Sequence, residues 1–162
     1  MSGNSSLSIS SARNRLFVGI IGGAECNPEI ARLAEELGRA IARRGAVLVC
    51  GGRGGVMEAT CRGAKSEGGL TIGILPGPDR EEANPFVDVA IATGLGGARN
   101  LVIIRTADVL IAIDGSYGTL SEIGFALKMG KRVIGLKTWD IPGIEKDDTV
   151  EQALDSAFRN AI

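Results

Sequence analysis

Short apolar runs alternate along this chain with longer stretches in which apolar residues return at helical spacing. The runs are Leu16–Ile21, Ala46–Cys50, Leu70–Leu75, Val87–Ala92, Val109–Ile113 and Val133–Leu136. Mostly apolar runs of this length, bounded by glycine and other turn residues, read as strands buried on both faces. After the first, Ile30, Leu33, Ala34, Leu37 and Ile41 line one face of a helix. Asn27-Pro28 starts it, with Asn as N-cap and Pro in the first turn, and Gly45 stops it after Arg44. Gly38 inside this helix costs about 1 kcal/mol against Ala, which close packing on a sheet would offset. Further helices are predicted over Val56 to Ser66, Ala98 to Ala107, Thr119 to Met129 and Val150 to Asn160, the last with Ala153 and Phe158 inward. Pro76–Pro85 is too rich in proline for regular structure, and Lys137–Asp148 reads as a loop. The alternation gives an α/β fold: a single doubly wound, mostly parallel sheet with helices on both faces. Residues 1–14, rich in Ser and Asn, read as a flexible tail, and residues 15–162 as one domain.

Ligands of such sheets bind beyond the carboxyl ends of strands, where the strand order reverses. Three glycine-rich loops leave strand ends here and should converge on one rim: Gly22-Gly23, Gly51–Gly55 and Gly115–Gly118. The third follows the buried run Val109–Ile113. Thr119 then opens a helix, with Glu122 at the spacing of a capping box. Gly130 closes that helix, with Lys131 and Arg132 near its negative end. A buried strand, a glycine turn and a helix N-terminus make an anion site, so a small phosphorylated ligand is expected. Neither GxGxxG nor GxxxxGK[ST] occurs, which sets aside the dinucleotide fingerprint and the P-loop.

Composition narrows the chemistry further. A net charge of −1 argues against a nucleic-acid partner. No apolar run reaches membrane-spanning length, and the leader has no apolar core of a signal peptide. The absence of histidine removes His-dependent triads and the usual His-ligated metals. Cys26, Cys50 and Cys61 are odd in number and lack CxxC spacing, which fits a reducing cytoplasm. No metal site, and no cofactor required for folding, is expected.

Gly51-Gly-Arg-Gly-Gly-Val-Met-Glu58 and Gly115-Ser-Tyr-Gly-Thr-Leu-Ser-Glu122 resemble the GGGxxGxM and PGGxGTxxE motifs of the Lonely Guy-type, lysine-decarboxylase-like proteins. The resemblance runs from about Leu16 to Leu136 and implies a Rossmann-like fold. Gly73–Pro76, Asn84-Pro85 and Thr93-Gly94 are similar to the branch of molybdenum-cofactor carrier proteins. That likeness implies a phosphorylated pterin, molybdopterin, as cargo. The alternative it implies is a phosphoribohydrolase cleaving the N-glycosidic bond of cytokinin-type nucleoside 5′-monophosphates. Ligand contacts are then expected from Gly22, Gly23, Gly52, Arg53, Gly54, Gly55, Val56, Met57, Gly115, Ser116, Tyr117, Gly118 and Thr119. Arg99 and Glu122 would be catalytic if the chain is a hydrolase. Family likeness also implies a homo-oligomer, dimer or tetramer. Asp114-Gly115-Ser116 departs from Pro-Gly-Gly, and Arg99-Asn100 from the hydrolases' Arg-Lys; both departures fall on hydrolase chemistry.

Several of these residues carry two readings. Thr119 is a phosphate donor, a plain N-cap, or both. Glu122 is the family's carboxylate or the partner of Thr119 in a capping box. Arg99, a cation near a helix start, is a phosphate fork, a partner for Glu122 or a surface residue. Arg53 reaches the ligand or solvent. Cys26 and Cys50 face the rim or pack structurally, and Cys61 packs. Tyr117 stacks on a ring or covers its loop. Trp139 anchors the C-terminal tail. Leu101–Ile104 reads as apolar all round, fit for core or a subunit interface.

Overall fold

A computed structural model describes residues 14–159 of the chain; the expected tail, residues 1–14, lies almost entirely outside them. Seven strands form one parallel sheet in the order β4-β3-β2-β1-β5-β6-β7. They are β1 (Phe17–Gly22), β2 (Val47–Cys50), β3 (Leu70–Leu75), β4 (Val89–Ala92), β5 (Val109–Ile113), β6 (Val133–Leu136) and β7 (Glu145–Asp147). The helices are α1 (Pro28–Arg43), α2 (Val56–Ser66), α3 (Arg99–Thr106), α4 (Tyr117–Lys128) and α5 (Val150–Phe158). The order reverses between β1 and β5, and the crevice for a ligand opens at their carboxyl ends.

Alternation along the strands builds two cores. Val109, Ile111 and Ile113 of β5 face α1, α2 and α5, while Leu110 and Ala112 face α3 and α4. Both sides of β5 are therefore dry, which fixes the strand that launches the third glycine loop. Asn27 caps α1, its side chain accepting from the Ile30 amide at 2.8 Å. Gly130, at φ 75, ends α4 in the left-handed conformation.

The structure corrects several expectations. Glu145–Asp147 pairs with β6 as a seventh strand inside the stretch read as a loop; its polar sequence carries no apolar signal. Arg80–Glu82 makes one 3₁₀ turn, capped by Asp79, within the proline-rich segment. The Thr119–Glu122 capping box does not form. Here α4 starts earlier, at Tyr117 with Ser116 as N-cap, because Asp114 (φ 48) and Gly115 (φ 97) turn the chain at once. Gly38 packs on α2 rather than on the sheet: a Cβ there would strike the Thr60 carbonyl, and one at Gly63 the Glu35 carbonyl. Ile103 and Ile104 are buried, but Leu101 and Val102 only partly, so α3 is not apolar all round in its burial. Ala153 is buried as expected, and Phe158 is half-buried beneath the Arg44 guanidinium. No helix among the described residues is long and apolar enough to cross a membrane.

Candidate functional site

A cavity of about 180 Å³ lies at the β1–β5 switch point. One wall is Gly22, Gly23 and Ala24 at the end of β1; the opposite wall is Ser116, Gly118 and Thr119 at the start of α4. Gly51, Met57, Arg99, Asn100, Ile103 and Glu122 close the floor and back. The expected convergence of the first and third glycine loops is therefore present, and the second contributes through Gly51 and Met57.

The N-terminus of α4 carries no side-chain cap. Asn27 caps α1 and Thr149 caps α5, accepting from the Gln152 amide at 3.1 Å, whereas α2 and α3, like α4, begin without a side-chain cap; the first amide of α2 goes to the Gly23 carbonyl, and those of Gly118 and Thr119 have no such partner. Free amides and the positive end of the dipole thus border the cavity. Thr119 is 4% exposed and lines the cavity. A Cβ at Gly115 would run into the Thr119 hydroxyl, so the glycine leaves that hydroxyl its place. A Cβ on Gly118 would meet nothing within 4 Å.

Arg99 and Glu122 meet through a third residue. Arg99 Nη1 donates to the Gly51 carbonyl at 2.6 Å and to that of Ile74. Its Nε donates to Asn100 Oδ1 at 2.7 Å. Asn100 Nδ2 in turn donates to Glu122 Oε1 at 3.0 Å. Arg99 is thus half-buried on the cavity rather than a surface residue, and it partners Glu122 only by way of Asn100. It ties the ends of β2 and β3 together and steadies the carboxylate by way of a neutral amide. Burial pushes the Glu122 carboxyl up to about 7, with the Arg99 charge opposing. Burial also lowers the Arg99 guanidinium, against the pull of Glu122.

The remaining candidates lie around this centre. Gly52 is buried, and a Cβ on it would press on Leu75 and Gly73; Gly54 and Gly55 abut Gly23 and Ala24. The Val56 amide donates to the Gly23 carbonyl at 3.0 Å, and its side chain is fully buried. Arg53 points to Glu82, 3.2 Å away. Gly54, Gly55 and Val56 support the first loop from behind, Gly52 and Arg53 face β3 and the Arg80–Glu82 turn, and none of the five lines the cavity. Asp114 does not line it either; after burial, its charge is the next cause raising the Cys26 thiol. Cys50 and Cys61 are buried with sulfurs 3.6 Å apart. Tyr117 stands 80% exposed at the rim. The Trp139 indole N–H donates to the Ser116 carbonyl at 3.1 Å; the end of the C-terminal tail it was expected to anchor lies outside the described residues.

Sequence reasoning missed Asn100 as the link between Arg99 and Glu122, and missed Ile20, Ala24, Gly51 and Ile103 as lining, the last in a stretch read as core or interface. The signal for Asn100 was its place after Arg99, where the hydrolases carry Lys. Gly51 and Ala24 had no signal beyond adjacency to residues already chosen.

Comparison with known proteins agrees with this fold. The molybdenum cofactor binding protein from Rippkaea orientalis is 38% identical and superposes with a TM-score of 0.83, over 88% of this chain and 94% of that one. The molybdenum cofactor carrier protein from Chlamydomonas reinhardtii is 33% identical with a TM-score of 0.81, over 90% and 98%. A cytokinin riboside 5′-monophosphate phosphoribohydrolase from Mycobacterium marinum is 33% identical over 72% of this chain and 67% of its own length. A family model matches residues 15–160, and the chain therefore belongs to the SLOG cluster4 family, within the LOG-like superfamily.

Proposed function

We propose that this chain binds a phosphorylated pterin through its phosphate and serves as a carrier of the molybdenum-cofactor type. The observation that carries the reading is the uncapped N-terminus of α4, with Gly118 and Thr119 on the cavity. A phosphate there accepts from bare amides and from the Thr119 hydroxyl, in the field of the helix dipole. Asn100 weighs against catalysis, since a neutral amide braces Glu122 where the hydrolases place Lys. Similarity to the Rippkaea and Chlamydomonas proteins supports the cargo. Three free cysteines support a cytoplasmic home. A homo-oligomer, dimer or tetramer, belongs to the same reading: Val89, Ile91, Leu95 and Phe125 are exposed apolar residues, and light scattering measures the assembly. Calorimetric titration with molybdopterin tests the cargo. Binding at micromolar protein is expected; a flat titration would contradict it.

A second reading, phosphoribohydrolase, is favoured by one observation. A carboxyl near 7, beside a cation in a cavity, suits general acid–base work at neutral pH. Release of free base from AMP, lost in Glu122→Gln, would establish it; no turnover across the common nucleoside monophosphates would remove it.

A further inference from the structure

The chain has one tyrosine and one tryptophan, and they stand together at the mouth of the candidate site. Tyr117 opens α4 between Ser116 and Gly118, both of which line the cavity. Its ring is 80% exposed, so it neither fills the core nor closes its own loop. Trp139 comes from the segment after β6 and packs partly into the α3–α4 core layer. The two ring centroids are 5.8 Å apart, with planes inclined at 32°. The hydrogen bond from Trp139 Nε1 to the Ser116 carbonyl ties the indole to the same turn that walls the cavity.

Size gives a second argument. Pockets that enclose a small ligand run to about 300–1,000 Å³. At about 180 Å³ the cavity accommodates the phosphate and part of its arm, not a fused ring system as well. The rest of such a ligand must lie over a neighbouring surface, and no aromatic residue lines the cavity itself. Beyond Trp139 the surface dips again into a hollow between Lys137–Trp139 and Lys146–Asp148. A flat ring leaving the cavity over the first turn of α4 would meet the exposed Tyr117 ring, with Trp139 and this hollow next to it.

We propose that Tyr117 and Trp139 form a stacking platform for the fused heteroaromatic ring of the ligand whose phosphate sits at the N-terminus of α4. The proposal rests on the phosphate-site reading and adds what that reading lacks, the element that selects a purine or pterin monophosphate over a bare sugar phosphate. Tyrosine and tryptophan suit the task because their faces are apolar while their polar tips stay wet or bonded. Stacking tolerates different ring systems, since every such ring offers a π-face.

Trp139 is also the reporter. GMP, which shares the 2-amino-4-oxopyrimidine ring with pterins, and ribose 5-phosphate are titrated against the whole chain by calorimetry and tryptophan fluorescence. Quenching by GMP is expected, and GMP should bind roughly tenfold or more tighter than ribose 5-phosphate. Tyr117→Ala should bring GMP down to the level of ribose 5-phosphate and leave the latter unchanged, while Tyr117→Phe keeps the preference. Thermal melting of both variants should match the parent, because the ring is exposed. Equal binding of the two ligands, unaltered in Tyr117→Ala, would overturn the platform and leave the phosphate site standing. Binding of neither would overturn both.

Discussion

Two glycine-rich turns leave the strands that flank β1 and look alike in the sequence, yet they do opposite things. After β2, the turn Gly51–Gly55 is filled by its own protein. A Cβ on Gly55 would strike Gly23 and Ala24, and one on Gly52 would press on Leu75 and Gly73. The first amide of α2 is already taken by the Gly23 carbonyl. After β5, the turn Gly115–Gly118 is filled only at its start, where a Cβ on Gly115 would strike Thr119; a Cβ on Gly118 would meet nothing within 4 Å, and no backbone carbonyl takes the first amides of α4 as Gly23 takes that of α2. Glycine needed for packing and glycine needed for a ligand are spelled identically. What separates them is the atom a side chain would meet.

The sharpest way to break this comparison is to add that side chain. Gly55→Ala places a residue at φ +62 and drives its Cβ into the Gly23 carbonyl. Urea denaturation should show a loss of about 2–4 kcal/mol. Gly38→Ala should lose a similar amount, although alanine gains about 1 kcal/mol in an unhindered helix. Its Cβ would strike the Thr60 carbonyl where α1 crosses α2. A neutral result at Gly55 would erase the distinction drawn between the turns.

Next in size is a pH effect at Glu122. Its carboxyl titrates near 7 when folded, against an ordinary value of 4.5. Between those values the folded protein keeps a proton that the unfolded chain has released. Stability therefore falls as pH rises through that window, by at most about 3 kcal/mol. Glu122→Gln should flatten the curve of stability against pH from 4.5 to 7. An unchanged slope would show that burial of the carboxyl is not what holds its proton.

How much of this was legible beforehand follows from the same contrast. The strands and helices with dry faces, such as Val109–Ile113 and the Asn27-capped α1, announce themselves because burial forces apolar residues into a period. Glu145–Asp147 does not, since an edge strand paired only to β6 needs backbone bonds and no apolar side chain. Thr119 and Glu122 were picked out as site residues, but their pairing was misread. Capping-box spacing says nothing of where the helix begins, and Asp114 and Gly115 begin it at Tyr117. Asn100 joins Arg99 to Glu122 across two helices, a contact that no local pattern encodes.

Smaller effects sharpen the open turn. Thr119→Val keeps the shape and removes one donor. Phosphate affinity should fall about tenfold, measured by calorimetry, with stability changed by less than about 1 kcal/mol. Gly118→Ala should leave stability equal or higher by up to about 1 kcal/mol, because its Cβ has open space. The same methyl intrudes on the cavity and should weaken phosphate binding several-fold. Opposite signs of stability change at Gly55 and Gly118 are the signature of the division of labour.

The most direct measurement follows backbone amide resonances while inorganic phosphate is added. The largest saturable shifts are expected at Gly118 and Thr119, with Gly23 and Ala24 following and Gly52–Gly55 nearly still. Shifts centred on Gly52–Gly55, or on Lys137 and Lys146, with Gly118 and Thr119 unmoved, would contradict the proposed phosphate site.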